Sequence, residues 1–339
     1  MPMDERLKRV AEPPLPTLVI GESLVDILTD DQGVRHAHPG GSPANVALGL
    51  ARLGLPVHFA TRTGRDRHGE AVRDHLVRNG VRLTEGSVAA GPTSTASVAL
   101  DVHGRADYAF DITWELPAST LGLIGRRPAP YAHLHTGSIA GTLAPGAAQV
   151  LAAVRAARSS ATVSYDPNLR PALLGEPHAE RPKIEALVTA ADLVKASDED
   201  LAWLYPGTDP ARAAAAWVGL GPALVVLTCG ANGAKAFWRH GSSEVAAVHA
   251  EVVDTVGAGD AFMAGLIGGL RRAGLLGNSR ARSALSHATG TAQLPPPIDA
   301  ALVLAAQAAA VTCGRPGADP PTPDELPAAA APAAPAAGP

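Results

Sequence analysis

Asp260 stands behind a turn almost without side chains, Gly257-Ala258-Gly259, and at the head of a small-residue helix running to about Leu270. Upstream, the β-branched pair Val252 and Val253 leads to Asp254. Such a turn leaves backbone N–H groups uncovered at a helix N-terminus, where the helix dipole also favours an anion. A carboxylate beside an anion cradle is a poor arrangement for binding alone. It suits the removal of a proton from a hydroxyl next to a phosphate. A plain N-capped helix after a glycine turn accounts for the same residues without chemistry, and the short pattern does not separate the two.

Further polar groups sit where the chain ought to turn. Gly21-Glu22-Ser23-Leu24-Val25-Asp26 brings two carboxylates to the end of a short apolar strand, Leu18 to Gly21. In open α/β sheets ligands bind outside the carboxyl ends of strands. A second glycine turn, Pro39-Gly40-Gly41-Ser42-Pro43, opens a helix that carries Asn45 in its first turn and stops at Gly54. Pro167-Asn168-Leu169-Arg170-Pro171 leaves the strand Thr162 to Asp166, and a planar guanidinium held between prolines suits a phosphate or a sugar. Thr228-Cys229-Gly230-Ala231-Asn232-Gly233 is a tight turn after the buried strand Ala223 to Leu227. Ser197 and Asp200 have capping-box spacing, which explains both without function. His133 and His135 share a strand face, but no third ligand is in view, so they read as ordinary strand histidines.

The elements that position these groups alternate strand and helix through most of the chain. Further strands are expected over Val57 to Ala60, Ala132 to Thr136 and Asp192 to Lys195, and a helix over Ala147 to Ala157. That alternation predicts an α/β fold with a mostly parallel sheet covered on both faces. The pattern changes between Thr93 and Phe110, where polar and apolar residues alternate around His103-Gly104-Arg105 as in a hairpin. This hairpin reads as a β-sheet lid, joined by the stretch from Asp26 to Ala37. Ala234 to Trp238 and Glu244 to Ala250 read as paired strands, Asn278 to Pro297 as a loose, proline-broken region, and Ala300 to Thr312 as a final helix.

Length, charge and cysteines narrow the class. The 339 residues suffice for one large α/β domain, expected over 15–320 with lid segments at 26–38 and 93–114. The net charge of −4 gives no nucleic-acid footprint. Cys229 and Cys313 are far apart and without ligand-like neighbours, which points to a reducing compartment, the cytoplasm. No apolar stretch reads as a membrane helix of ~18 residues. The Pro/Ala tail 327–339 is too poor in core-forming residues to fold and is expected to be disordered.

GGSPANVALGLARLG and DTVGAGDAFMAG, with DPNLRP and KASDEDL between them, resemble the ribokinase-like (PfkB) carbohydrate kinases, and most of all the bacterial fructokinases. The likeness spans roughly Leu18 to Ala318. It implies ATP-dependent transfer of a γ-phosphate to the primary hydroxyl of a hexose, D-fructose first. Asp260 matches the catalytic base, and Gly257, Ala258 and Gly259 the anion hole. Asp26, Gly41 and Asn45 match residues that hold sugar hydroxyls, and Arg170 one that reaches the sugar or the phosphates. Thr228, Gly230 and Gly233 match the nucleotide turn, with Ala309 and Cys313 near the adenine. The resemblance implies Mg2+ with the ATP, and K+ held by carbonyls of Asp254 and Val256 and of the stretch holding Thr312, Arg315 and Gly317. Ser197 and Asp200 stand where the family has Asn-x-x-Glu, which helps place magnesium and phosphate, a departure that shortens the carboxylate. The family also implies pairing of two copies through the lid.

Other readings are a kinase for ribose, a nucleoside or a sugar acid such as 2-keto-3-deoxygluconate, and a silent sugar-binding protein. A dinucleotide oxidoreductase requires G-x-G-x-x-G directly after the first strand. GESLVD stands there instead.

Overall fold

The structure, a computed structural model, describes residues 14–29, 33–100 and 106–327. The hairpin tip at 103–105 and the tail beyond 327 lie outside the described residues. The chain begins with β1 (Thr17–Ile20), the antiparallel pair β2 (Leu24–Thr29) and β3 (Arg35–Gly40), and α1 (Ser42–Arg52). Next come β4 (Val57–Ala60), α2 (Arg67–Arg78), β5 (Arg82–Leu83), a second antiparallel pair, β6 (Thr95–Leu100) and β7 (Ala106–Asp111), and α3 (Ala118–Gly125). Regular alternation follows: β8 (His133–Gly137), α4 (Gly146–Ala157), β9 (Thr162–Asp166), α5 (Pro177–Ala190), β10 (Leu193–Ser197), α6 (Asp198–Leu204), α7 (Pro210–Val218) and β11 (Leu224–Thr228). The chain closes with β12 (Ala234–Trp238), β13 (Gly241–Val245), α8 (Ala258–Arg272), α9 (Ser279–Ala288) and α10 (Pro296–Cys313).

Two sheets result. The larger has the order β13-β12-β11-β10-β9-β8-β1-β4-β5. All its pairings are parallel except β11–β12 and β12–β13. Every residue of β1, β8 and β9 is buried, as a sheet with helices on both faces requires. One core gathers Val19, Val46, Phe59 and Leu266 against α1, α8 and α10, and the other Leu18, Val163, Leu187 and Trp217 against α4, α5 and α7. The smaller sheet, β3-β2-β6-β7, is built from the lid segments the sequence marks out.

α8 is gripped closely. A Cβ on Gly265 would stand 2.8 Å from Ala305 Cα of α10, and one on Gly49 of α1 would stand 2.7 Å from Ala264 Cβ. Small residues on three helices thus fix the height of α8 above the sheet.

Three expectations are corrected. The Asn278–Pro297 stretch is ordered: Asn278 caps α9 by accepting from Arg280 and Ala281 N–H, and the prolines merely open α10. A short polar cap and prolines at N1 are helix starts, and they hid a helix poor in apolar spacing. The last β-ribbon ends at Val245 rather than Ala250. α10, with 18 residues and a mean hydropathy of 1.4, does reach the length and apolarity of a membrane span. Here its Ile298, Ala301, Leu302 and Ala305 are buried in the core against α8.

His133 and His135 are core residues. His133 Nδ1 and Nε2 lie 2.8 Å from the hydroxyls of Thr162 and Ser164, and His135 Nδ1 lies 2.9 Å from that of Ser164. Burial lowers both, His135 to about 3, so both rings stay neutral. Among the described residues no group of three or more His, Cys, Asp or Glu is arranged to hold a metal.

Candidate active site

The two glycine turns meet at one carboxylate. Ser42 Oγ donates to Asp260 Oδ1 at 2.7 Å, and Asn45 Nδ2 donates to Oδ2 at 2.8 Å. Asn168 Nδ2 approaches Oδ1 at 3.5 Å from the loop after β9. Asp260 is 7% exposed. Burial raises its pKa, while Ser42, Asn45, Lys195 and Arg170 favour the charged form. A carboxylate is thereby held oriented, largely dry and more basic than in water.

The expected glycine turn is present, with one of its donors already engaged. Gly257 takes φ 76°, a left-handed turn, and a side chain there would run into Ala318. Ala258 N–H donates to Thr255 O at 3.2 Å, so it is already engaged. The N–H groups of Gly257, Gly259 and Asp260 have no backbone partner among the described residues. The open donors are therefore shifted one residue into the helix relative to the expectation.

A cation underlies this turn. A Cβ on Gly259 would stand 3.2 Å from Lys195 Nζ. The same ammonium is 3.0 Å from Asp166 Oδ2, with the side chains 4% and 0% exposed. The contact is ionic rather than aligned as a hydrogen bond, since neither Asp166 oxygen has a hydrogen-bond partner. Burial pushes Asp166 up to about 7 against the pull of Lys195. Burial works to lower Lys195, but Asp166, Asp200 and Asp260 outweigh it and raise its pKa. Neither residue stands out in the sequence, because a Lys inside VKAS and an Asp closing VSYD look like strand ends.

Asp26 and Arg170 face the same region. Asp26 is raised by burial, with Arg170 and His38 pulling it down and Asp260 pushing it up. Arg170 Nη1 donates to Asn168 Oδ1 at 2.7 Å and to Leu169 O at 3.0 Å, so the exposed guanidinium is folded over its own loop. Gly41, at φ 104°, packs so that a Cβ would stand 2.9 Å from Glu22 O. Glu22 is 3% exposed and accepts from Ala140 N–H at 3.2 Å. Burial pushes it up to about 7, with Ser138 and Arg170 among the groups pulling the other way.

Ser197 and Asp200 form the capping box in full, and Asp200 Oδ1 also accepts from Leu169 N–H at 2.7 Å. Asp200 therefore pins the loop that carries Asn168 and Arg170. Thr228 ends β11, and Gly230 and Gly233 both take positive φ in the turn that follows. Ala309 and Cys313 are half-buried on α10. Asp254 clamps two loops: Oδ1 accepts from Val256 N–H at 3.0 Å and Oδ2 from Gly317 N–H at 2.8 Å. Thr312 O and Gly317 O already accept from Arg315 and Asp319 N–H respectively.

The arrangement joins a buried carboxylate, open N–H donors at a helix start, a buried cation and polar side chains on the smaller sheet. It suits phosphoryl transfer to a hydroxyl.

The sequence model of the pfkB family carbohydrate kinase matches residues 19–325. A fructokinase from Klebsiella pneumoniae is 37% identical over 267 residues, covering 77% of this chain and 86% of the relative. The crystal structure of a fructokinase with bound ATP from Xylella fastidiosa superposes with a TM-score of 0.74 at 26% identity, over 89% of this chain and 93% of that one. A fructokinase double mutant from Vibrio cholerae O395, in its fructose-, ADP- and potassium-bound form, gives 0.70 at 27% identity, over 90% and 94%.

Proposed function

We infer the reaction from one premise: the chain belongs to the pfkB family of carbohydrate kinases. It is a phosphotransferase with a hydroxyl acceptor, an ATP-dependent sugar kinase. We propose that D-fructose is its sugar, a reading supported by the fructokinases it resembles. The observation that carries the mechanism is Asp260, held by Ser42 and Asn45 at the foot of an open helix N-terminus.

In this mechanism Asp260 takes the proton from the primary hydroxyl as that oxygen attacks the γ-phosphate in line. The N–H groups of Gly257, Gly259 and Asp260 meet the charge on the transferring phosphoryl, and Lys195 adds a fixed positive charge beneath them. Asp26, Gly41 and Asn45 hold the sugar. Arg170 turns from its own loop to the sugar or the phosphates. Thr228, Gly230 and Gly233 receive the nucleotide, with Ala309 and Cys313 near the base.

The residues present fit the implied ions unevenly. Magnesium neutralises phosphate charge when bound with ATP. Of the nearby carboxylates, Asp200 spends its oxygens on Ser197 and Leu169, which leaves Asp166 as the group that would face the metal. A monovalent cation such as K+ fits the oxygen-rich loops that Asp254 ties together, held by carbonyls of Asp254, Val256 and the segment containing Arg315. It would steady the turn below the anion hole. Exposed Leu28 on β2 and Val34 just before β3, 48% and 50% accessible, support pairing with a second copy. The two free cysteines support a reducing compartment, the cytoplasm.

The test is ADP release by the purified protein with ATP, magnesium and a panel of sugars, sugar acids and nucleosides. Fructose should be fastest. No ADP with any acceptor sinks the proposal.

A further inference from the structure

The turn Gly257-Ala258-Gly259 carries almost no side-chain atoms, so little of its own holds it in place. Its supports come from elsewhere in the chain. Asp254 ties it from one side, through Val256 N–H and Gly317 N–H. From the other side comes the segment that follows α10, Gly314 to Leu326. A Cβ on Gly257 would stand 2.5 Å from the methyl of Ala318, so Ala318 rests directly on the bare face of that glycine.

The next two residues fasten this segment to α1. Arg52, in the last turn of α1, donates from Nη1 to Asp319 Oδ1 and, at 2.7 Å, to Pro320 O. Its Nε donates to Asn79 Oδ1 at 2.9 Å, so the guanidinium cannot swing without breaking a third bond. Pro320 is buried, 3.6 Å from where a Cβ on Gly49 would lie. The segment is also folded on itself. Arg315 bridges the other oxygen of Asp319, at 3.2 Å, and Glu325, at 2.6 Å. Glu325 accepts in turn from Thr322 N–H and Oγ1.

An isolated surface ion pair contributes little to a fold. Arg52 does more than pair, because a planar fork that meets three acceptors fixes an orientation as well as an attraction. Ala318, Asp319 and Pro320 are consecutive, so a shift at Asp319 passes to the support of Gly257 within one residue. α1 carries Ser42 and Asn45 at its other end, and these hold Asp260. One helix thus fixes the carboxylate at its start and, through Arg52, the donor turn at its end. Phosphoryl transfer depends on that registration, since a misplacement of ~1 Å can cost about 10²-fold in rate.

We propose that Arg52 and Asp319 form a latch that seats Ala318 against Gly257, and that Arg52 is a positioning residue for the N–H donors of the turn. It acts through Asp319 and Ala318 rather than by touching substrate. The proposal rests on the sugar-kinase reading and deepens it.

Kinetics, transition-state mimicry and amide exchange test it together. Arg52→Met should lower kcat about tenfold, with the KM values for fructose and ATP held within about twofold. Asp319→Ala should do the same, and the double variant should lose little more than either alone, since both break one latch. Affinity for ADP with aluminium fluoride, a mimic of the transferring phosphoryl, should fall in Arg52→Met by about the factor lost in kcat, while affinity for ADP alone holds. In the protein without ligands, the hydrogen-bonded amides of Val256, Ala258 and Gly317 should exchange faster in Arg52→Met than in the wild type, with those of β8 and β9 unchanged. Unchanged kcat in Arg52→Met overturns the proposal. So do additive losses in the double variant, or exchange raised evenly along the chain. Should the wild type release no ADP with any acceptor, the exchange arm still decides. Faster exchange confined to the turn then upholds the latch and overturns phosphotransfer, and unchanged exchange overturns both.

Discussion

Ser42 and Asp260 lie 218 positions apart in the chain, and their side chains meet at 2.7 Å. One short hydrogen bond thus joins the start of α1 to the start of α8 and holds the proposed base in place. Asp260→Asn keeps the shape and removes the proton acceptor. Its turnover should fall ~10²–10⁴-fold with ATP binding retained. Near-normal kcat would show that another group takes the proton.

Ser42→Ala acts on the same carboxylate more gently. The hydroxyl favours the charged form of Asp260, so its loss lets burial raise the pKa further. The base must be deprotonated to act. Activity should therefore fail at a higher pH on the acidic side of the kcat profile than in the wild type. An unmoved acid limb would mean that Asp260 titration does not govern the rate.

Lys195 and Asp166 are buried as a pair, so removing one partner strands the other. Lys195→Met should cost ~3–5 kcal/mol of stability, read from denaturant unfolding. Asp166→Asn added to it should recover most of that loss. The double variant should stay deficient in phosphoryl transfer, because the positive charge beneath Gly259 and the carboxylate that would face the metal are both gone. Recovered activity in the double variant would remove Lys195 from the anion hole.

Glu22 gives a stability signature. Its folded pKa of about 7 lies above the unfolded value of 4.5. Protonation therefore favours the fold, and this contribution is complete below pH 4.5 and lost as pH rises through 7. Glu22→Gln mimics the protonated group. Relative to the wild type it should gain stability between pH 5 and 8, by at most about 3 kcal/mol. A constant difference across that range would mean that Glu22 is charged throughout.

Asp254 holds Val256 and Gly317 N–H at once, and Asp254→Ala should free both loops. Thermal stabilisation by KCl over NaCl, measured on the protein alone, should shrink or vanish in that variant. Equal stabilisation by both salts in the wild type would dismiss a selective cation site.

The sequence discloses the parts of this protein whose chemistry is local. Glycine turns, the capping box of Ser197 and Asp200, and the strand holding Ser97 are read within a few residues, and each appears where expected. What stays hidden depends on distant strands. Lys195 matters because β10 lies beside β9 and under α8, a fact of sheet order. α9 escaped because its sequence, SRARSALSHA, has only Ala281 and Leu285 facing the core.

The contact between Gly49 and Ala264 gives the site a mechanical tolerance. Gly49 lies seven positions beyond Ser42 on the same helix, about 10 Å along its axis. With no side chain as cushion there, the separation of α1 from α8 is set by backbone against methyl. Adding one carbon at Gly49 inserts a shim far from any reacting atom. It would lift Ser42 and Asn45 together off their shared acceptor, so the proton affinity of Asp260 is geared to the thickness of a helix contact that never touches substrate.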